Sequence, residues 1–485
     1  MNLHSKYNPQ AEASRFVDAI SINGSPDYIV ITEPAQSYLA KPLRNRFPHS
    51  RLIAIRYSDS YFLSTDSFWD YVYRPVDGSL QSFLLNVIGD EFLSNTLFLS
   101  WKASDNYWAE VASYTWKCIN ETLEVFKSLM YTRTAFGTVW LKNFFNNLLF
   151  LENVYKAIFV DTDFFFIAAG FSLEKNFDLL LHHCGASLCA GSAYNAVKYK
   201  NLPVSACITT DGTFWAKRHL HHLQSEVPLV FSLEAGVPKK VLEKNPLVLL
   251  SYNSELEKYF FDKFKLPFII AKRNGTVSGT AVELLLENTK KNIYCCGLDL
   301  KTGKGFSHAR PHSSLSLIKN STSRLQSLEN ILTPQSFSSG SLKTYADWFS
   351  SLKQEKAFRV FRLRTNLPQA PLPNIKTVSN EDLNSKKFTK AEDAIKFIPS
   401  SPPNQLQRKK VLLDFFQNIK KQIVSSSLEK IIYSKEKTYL LLKEIVEFTA
   451  YPKLINFVKT KKVEDEKAVK DLCVAELEKL DRFFR

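Results

Sequence analysis

The chain has 485 residues and a mass of 55.6 kDa, enough for two or three domains with cores of their own. With 45% hydrophobic and 23% charged residues it is composed like a globular protein rather than a disordered or fibrous one, and its apolar windows (residues 164–170, for example) are far shorter than the ~20 residues a membrane span needs. The net charge of +15 favours acidic partners, but the unbroken basic runs are as short as Arg408-Lys409-Lys410, so nucleic acid is not expected.

Two further absences narrow the class. MNLHSKYNPQ carries no charged segment followed by an apolar run, so a cytoplasmic location is expected. The seven cysteines include no C-x-x-C pair, which argues against both a zinc site and a dithiol centre.

In chain order, residues 1–105 read as a small α/β accessory domain. PDYIVITEP and RLIAIRYSD are short apolar strands flanking a helical stretch, and no glycine-rich turn follows the first. Residues 106–155 show apolar and aromatic positions at three- and four-residue spacing and predict connecting helices. Residues 156–350 alternate strand and helix patterns, with FFFIAAG, SLCAGS, SACITT, LVFSL, LVLLSY and NIYCCGLDL as strands. The fold expected there is a doubly wound, Rossmann-like α/β sheet, which binds ligands outside the carboxyl ends of its strands. Residues 351–404, with LPQAPLPN and FIPSSPPN, read as a helix and a Pro/Ser-rich linker. Residues 405–485 read as a helical C-terminal region, with 18 Lys and Arg against 12 Asp and Glu.

Glycine marks the working part. Ten of the fifteen glycines fall between Gly170 and Gly305 in a chain otherwise poor in them. The strand FFFIAAG runs into Gly170-Phe171-Ser172-Leu173 and a helical stretch with Asn176. That turn either offers backbone N–H groups and the Ser172 hydroxyl to an anion, or is a plain serine cap. Ser192 and Asp211 follow the next two strands, where ligand contact and helix capping are both open. Ser278-Gly279-Thr280 opens the helix AVELLLENTKK as a second anion-facing start, with a Thr280 cap backed by Glu283 as the alternative. Asp161-Thr162-Asp163 has a D-x-D pattern but begins a strand and reads as a turn. The strand IYCCG leads into Asp299 and a loop with Lys301, Lys304, His308, Arg310 and His312, a source of a general base and phosphate contacts.

Together these segments resemble the motility-associated factor (Maf) family of flagellin glycosyltransferases, over residues 130–350. AAGFSLEKN is similar to that family's G-x-G-P-S-L-x-x-N turn, keeping Gly170, Ser172, Leu173 and Asn176. Phe171 stands for the family's proline and Ala168 for its first glycine, which implies a less tight loop. SGTAVELLL, GLDL and Ser307-His308-Ala309 follow in the family's order. The resemblance implies a core like that of bacterial CMP-sialic-acid sialyltransferases, without a metal or a permanently bound cofactor. A nonulosonic acid of the pseudaminic or legionaminic type would pass from a CMP-sugar to Ser or Thr of flagellin, the C-terminal region docking the acceptor. His308 would be the base and Arg310 or Lys304 would steady the departing phosphate. Gly170, Ser172, Ser192, Asp211, Ser278, Gly279, Thr280 and Asp299 would line the nucleotide. A related branch resembles archaeal 6-hydroxymethyl-dihydropterin pyrophosphokinases, which use ATP and magnesium; a non-enzymatic nucleotide-binding module is the third alternative.

Overall fold

The computed structural model describes all residues except 1–2, 23, 302–307 and 333–339. The chain forms two compact units, residues 1–137 with 420–479, and residues 138–419 with 480–485.

In the first unit, strands β1 (Tyr28–Thr32), β2 (Arg51–Ile55), β3 (Tyr71–Tyr73) and β4 (Thr96–Ser100) form a parallel sheet in the order β3-β2-β1-β4. Ile29, Ile31, Leu52 and Ala54 bury one face against Leu39, Leu43 and Trp69. Beyond β2, the buried Arg56 guanidinium meets Glu33 Oε1 at 3.1 Å and Asp66 Oδ1 at 3.0 Å, and donates to Ala35 O at 2.8 Å. Its charge is therefore paired and its donors satisfied, as burial requires.

The helix Lys437–Thr460 belongs to this unit, with Lys443 Nζ 2.6 Å from the buried Glu91 carboxylate. The C-terminal region is helical as expected, in Gln405–Ser425, Leu428–Tyr433, Lys437–Thr460 and Val463–Phe484. It is not a unit of its own, because its middle helices share the first unit's core. The expected boundaries near residues 105 and 155 also shift. One helix, Ala109–Phe150, runs through both, and the division falls within it.

The second unit carries the doubly wound sheet. Strand β5 (Tyr155–Phe159) precedes β6 (Phe164–Ile167), β7 (Ser187–Ala190), β8 (Ala206–Thr209), β9 (Leu229–Ser232), β10 (Leu247–Ser251) and β11 (Phe268–Ile270). Then come β12 (Ile293–Cys296), β13 (Val360–Leu363), β14 (Lys376–Val378) and β15 (Ile395–Pro399). Nine of these form a parallel sheet in the order β11-β10-β9-β8-β7-β6-β12-β13-β14. From β6 to β10, and again in β12, every residue is buried, the unbroken apolar run of a sheet covered on both faces.

The stretch read as a linker is instead part of this unit. β13 and β14 extend the sheet beyond β12, and β15 pairs antiparallel with β5. Its proline-rich LPQAPLPN is the connection between β13 and β14. Among the described residues no helix is long and apolar enough to cross a membrane.

Candidate functional site

The chain leaves β6 toward β7 and returns to β6's other side at β12, so the order in which strands are added reverses at β6. Ligands of such sheets bind at that switch point, outside the carboxyl ends. Two turns meet there. Gly170 N donates to Gly297 O at 2.9 Å, and Ala309 N to Ala169 O at 2.9 Å, so the His308 loop adds a short antiparallel bridge to the Gly170 turn. A Cβ on Gly170 would lie 2.3 Å from Gly297 O and 2.5 Å from Asp299 Oδ2. Gly297 has φ +66°, and a Cβ there would lie 2.4 Å from Ala168 O. The loop is thus tightly closed without the family's proline or first glycine, because the second turn braces it.

The turn is a short 3-10 helix, Phe171–Lys175, and the Ser172 N–H expected to face a ligand anion already donates to Asp299 Oδ2 at 2.8 Å. Asp299 Oδ1 accepts from Gln369 at 3.2 Å, so this buried carboxylate braces the site from within. What the turn leaves open is polar. Ser172 Oγ and both polar side-chain atoms of Asn176 are buried without a partner among the described residues. Each such atom costs about 1–3 kcal/mol unless something pairs with it.

Next to the turn, on the bridged loop and the helix Phe214–His219, are three histidines. The His308 and His312 rings stack at 4.3 Å between centroids, and His219 approaches His312 at 5.0 Å. Burial followed by the His308 and His219 rings pushes His312 down to about 3. Burial and His308 push His219 down to about 4 against the pull of Asp211. Desolvation lowers His308 as well, although the residue as a whole is exposed. All three are neutral near pH 7, and a neutral imidazole can take up a proton. Arg310 is bound elsewhere: its backbone N–H, Nε and Nη2 each lie 3.0 Å from the Glu174 carboxylate. That fork ties the histidine loop to the Gly170 turn and occupies the face expected to meet phosphate. Lys304 lies outside the described residues.

The remaining expected residues lie further along the same edge. Ser192 sits in the 3-10 turn Gly191–Ala193 after β7. Asp211, after β8, accepts from Thr213 N at 2.8 Å and Thr213 Oγ1 at 2.9 Å, a turn-forming role. The helix Val277–Asn288 starts one residue before Ser278 and is capped by Thr276. Neither a Thr280 cap nor a capping box forms, because Thr280 Oγ1 donates to Lys272 O and Glu283 pairs with Lys272 and Lys356. A Cβ on Gly279 would meet Asn274 and Thr276 at 3.0 Å. Among the described residues no hydrogen bond joins Ser192 or Ser278, Gly279 and Thr280 to the Gly170 turn, so the site has two separate halves. Asp161 and Asp163 accept from Lys290 N and Asn292 N at the opposite, amino end of β6.

Several residues of this edge carry no sequence signal. The Arg273 guanidinium lies 4.3 Å from the Tyr252 ring and 2.5 Å from Glu234, linking the ends of β9, β10 and β11. Burial, then the Glu234 charge, raises the nearby Glu257 to about 7. Asn143 Nδ2 donates to Gly212 O at 2.9 Å and Glu234 O at 3.0 Å, while Asn147 Nδ2 donates to Leu233 O and Ala235 O at 2.8 Å. These two amides fix the loops after β8 and β9 against the long helix.

Residues 139–305, which hold the Gly170 turn, the Ser278 helix start and Asp299, match the family model described as 6-hydroxymethylpterin diphosphokinase MptE-like. An uncharacterized protein of Treponema pallidum (strain Nichols) is 36% identical over 382 residues, covering 79% of this chain and 84% of that one. The chain belongs to that protein's family. The MptE-like domain implied by the motif order is present, on the doubly wound sheet expected for it. A solved structure of MAf glycosyltransferase from Magnetospirillum magneticum AMB-1 covers 98% of this chain and 82% of its own, at 9% identity and a TM-score of 0.49. At that level the likeness bears on neither activity nor substrate. Among the described residues no group of three His, Cys, Asp or Glu side chains is placed to hold a metal ion.

Proposed function

We propose that the MptE-like domain is a glycosyltransferase that moves a nonulosonic acid from a CMP-sugar to a Ser or Thr hydroxyl of flagellin. The observation that carries it is the meeting of two turns at the switch point: the Gly170 turn, whose Ser172 and Asn176 have buried polar atoms without a partner among the described residues, and the His308 loop, which bridges to it by backbone. A nucleotide binds along the carboxyl edge from Gly170 and Ser172, past Ser192 and Asp211, toward Ser278, Gly279 and Thr280. Asp299 acts indirectly, by fixing the Ser172 amide. His308 takes the proton of the acceptor hydroxyl as its oxygen bonds to the anomeric carbon. The bond from that carbon to the phosphate oxygen breaks, and CMP leaves with the electron pair. Arg310, clamped by Glu174, positions the His308 loop.

The family model favours a second reading, pyrophosphoryl transfer from ATP to a pterin, which would need magnesium. The carboxylates do not fit that cation well. Asp299 is buried with both oxygens accepting hydrogen bonds, and Asp211 is folded onto Thr213. Intact-mass measurement of flagellin after deletion of this chain separates the two. Loss of a nonulosonic-acid mass is expected, whereas unchanged flagellin with a pterin-pathway defect would overturn the transferase.

A further inference from the structure

Beside the histidine loop opens a cleft of about 1040 Å³, walled by Lys198, Lys217, Arg218, His221 and His222 and ending at Pro311, His312 and Ser313. No carboxylate lines it, and no carboxylate pairs with Lys198, Lys217 or Arg218 among the described residues. Tyr199 and Phe214, 69% and 64% exposed, line the cleft. Arg218 lies over the Phe214 ring at 5.8 Å, and among the described residues Lys198 Nζ donates to His222 O alone. Three uncompensated cations around exposed aromatic rings make a site for an anionic chain, since unpaired like charges held together repel until a counter-charge arrives.

The cleft's inner end is the His312 ring, which stacks on His308. Whatever fills it therefore approaches the proposed base. Under the proposed transfer, an occupant of the cleft has to bring a Ser or Thr hydroxyl to that base as well as negative charge to these cations. We infer that this cleft docks an acidic, Ser/Thr-bearing segment of the protein acceptor. The assignment rests on the proposed transferase and adds where its acceptor docks and what charge the docked segment carries: Asp and Glu side chains meet Lys198, Lys217 and Arg218, an aromatic or apolar residue packs on Tyr199 and Phe214, and a hydroxyl reaches His308.

The test is fluorescence anisotropy with the full chain and a short labelled peptide alternating Asp and Ser, with no sugar donor present. The peptide is expected to bind, more weakly as salt rises, and the double variant Lys217→Glu/Arg218→Glu is expected to weaken it by about tenfold or more. Lys198→Glu, at an exposed position, gives the same direction of change if the double variant does not fold. Absence of peptide binding, binding unaffected by charge reversal, or tighter binding of a single-stranded oligonucleotide of equal charge would each overturn the assignment. Because no donor is used, failure of the transferase chemistry leaves peptide binding intact, and the two failures are distinguishable.

Discussion

His308→Ala is expected to lower sugar transfer about a thousandfold while leaving CMP affinity unchanged, since a positioned general base contributes roughly 10²–10⁴ in rate. The His308 backbone forms the bridge to the Gly170 turn, so its Cα is held at the carboxyl edge of the sheet by backbone pairing. Desolvation lowers its basicity from the ordinary 6.5, and a base acts only when unprotonated. The acid limb of kcat/KM is therefore expected at a midpoint below 6.5, with activity lost as pH falls through it. Initial rates of the variant across pH check both statements. A loss of less than tenfold, with the acid limb retained, would remove His308 from the proposed chemistry. Direct contact of His312 with His308 makes His312→Ala an informative companion, but its own depressed value of about 3 places it outside the physiological titration range.

Gly297→Val is expected to cost about 3–5 kcal/mol and to abolish nucleotide binding. Its φ of +66° already costs an L-residue about 1–2 kcal/mol, and more for a β-branched one. The added Cβ would also lie 2.4 Å from the Ala168 carbonyl oxygen and 3.0 Å from Leu173 Cβ. The oxygen is backbone at the end of β6 and cannot swing aside. Relief requires parting the Gly170–Gly297 contact that holds the two turns together. Thermal unfolding is expected to move down by roughly 10 °C. A melting temperature equal to that of the unsubstituted protein would show that the turns are not braced against each other.

The central sheet was legible because its strands are short, unbroken apolar runs. FFFI, SLCA, ACIT, LVFS, LVLLS and IYCC are all buried throughout. The strands that escaped lack that signal. β13 carries Arg362, whose buried guanidinium is accommodated by Ala370 O on the proline-rich connection, a partner found only after folding. β11 is an edge strand with exposed Phe268 and Ile270, and β14 has three residues, too few to show a period. Pairing with distant neighbours makes these segments strands, and local pattern does not encode it.

The site divides in the same way. The Gly170 turn, the Ser278 helix start and the His308 loop stand out as glycine-marked junctions. Glu174 and Arg310 meet across 136 positions of sequence, and His219 reaches His312 from the end of the helix Phe214–His219. Those contacts decide which groups remain available for chemistry: Arg310 is committed to an ion pair, while the side chains of Ser172 and Asn176 have no partner among the described residues. The unit boundary within the helix Ala109–Phe150 was equally hidden, because an uninterrupted helical pattern carries no mark of where one core gives way to another.

Calorimetric titration of CMP into the full chain, with a chelator present, tests the account most directly. Binding at one site without magnesium is expected, weakened about tenfold or more by Ser172→Ala, which removes a buried hydroxyl assigned to the nucleotide. No heat with CMP, together with ATP binding that depends on magnesium, would contradict it.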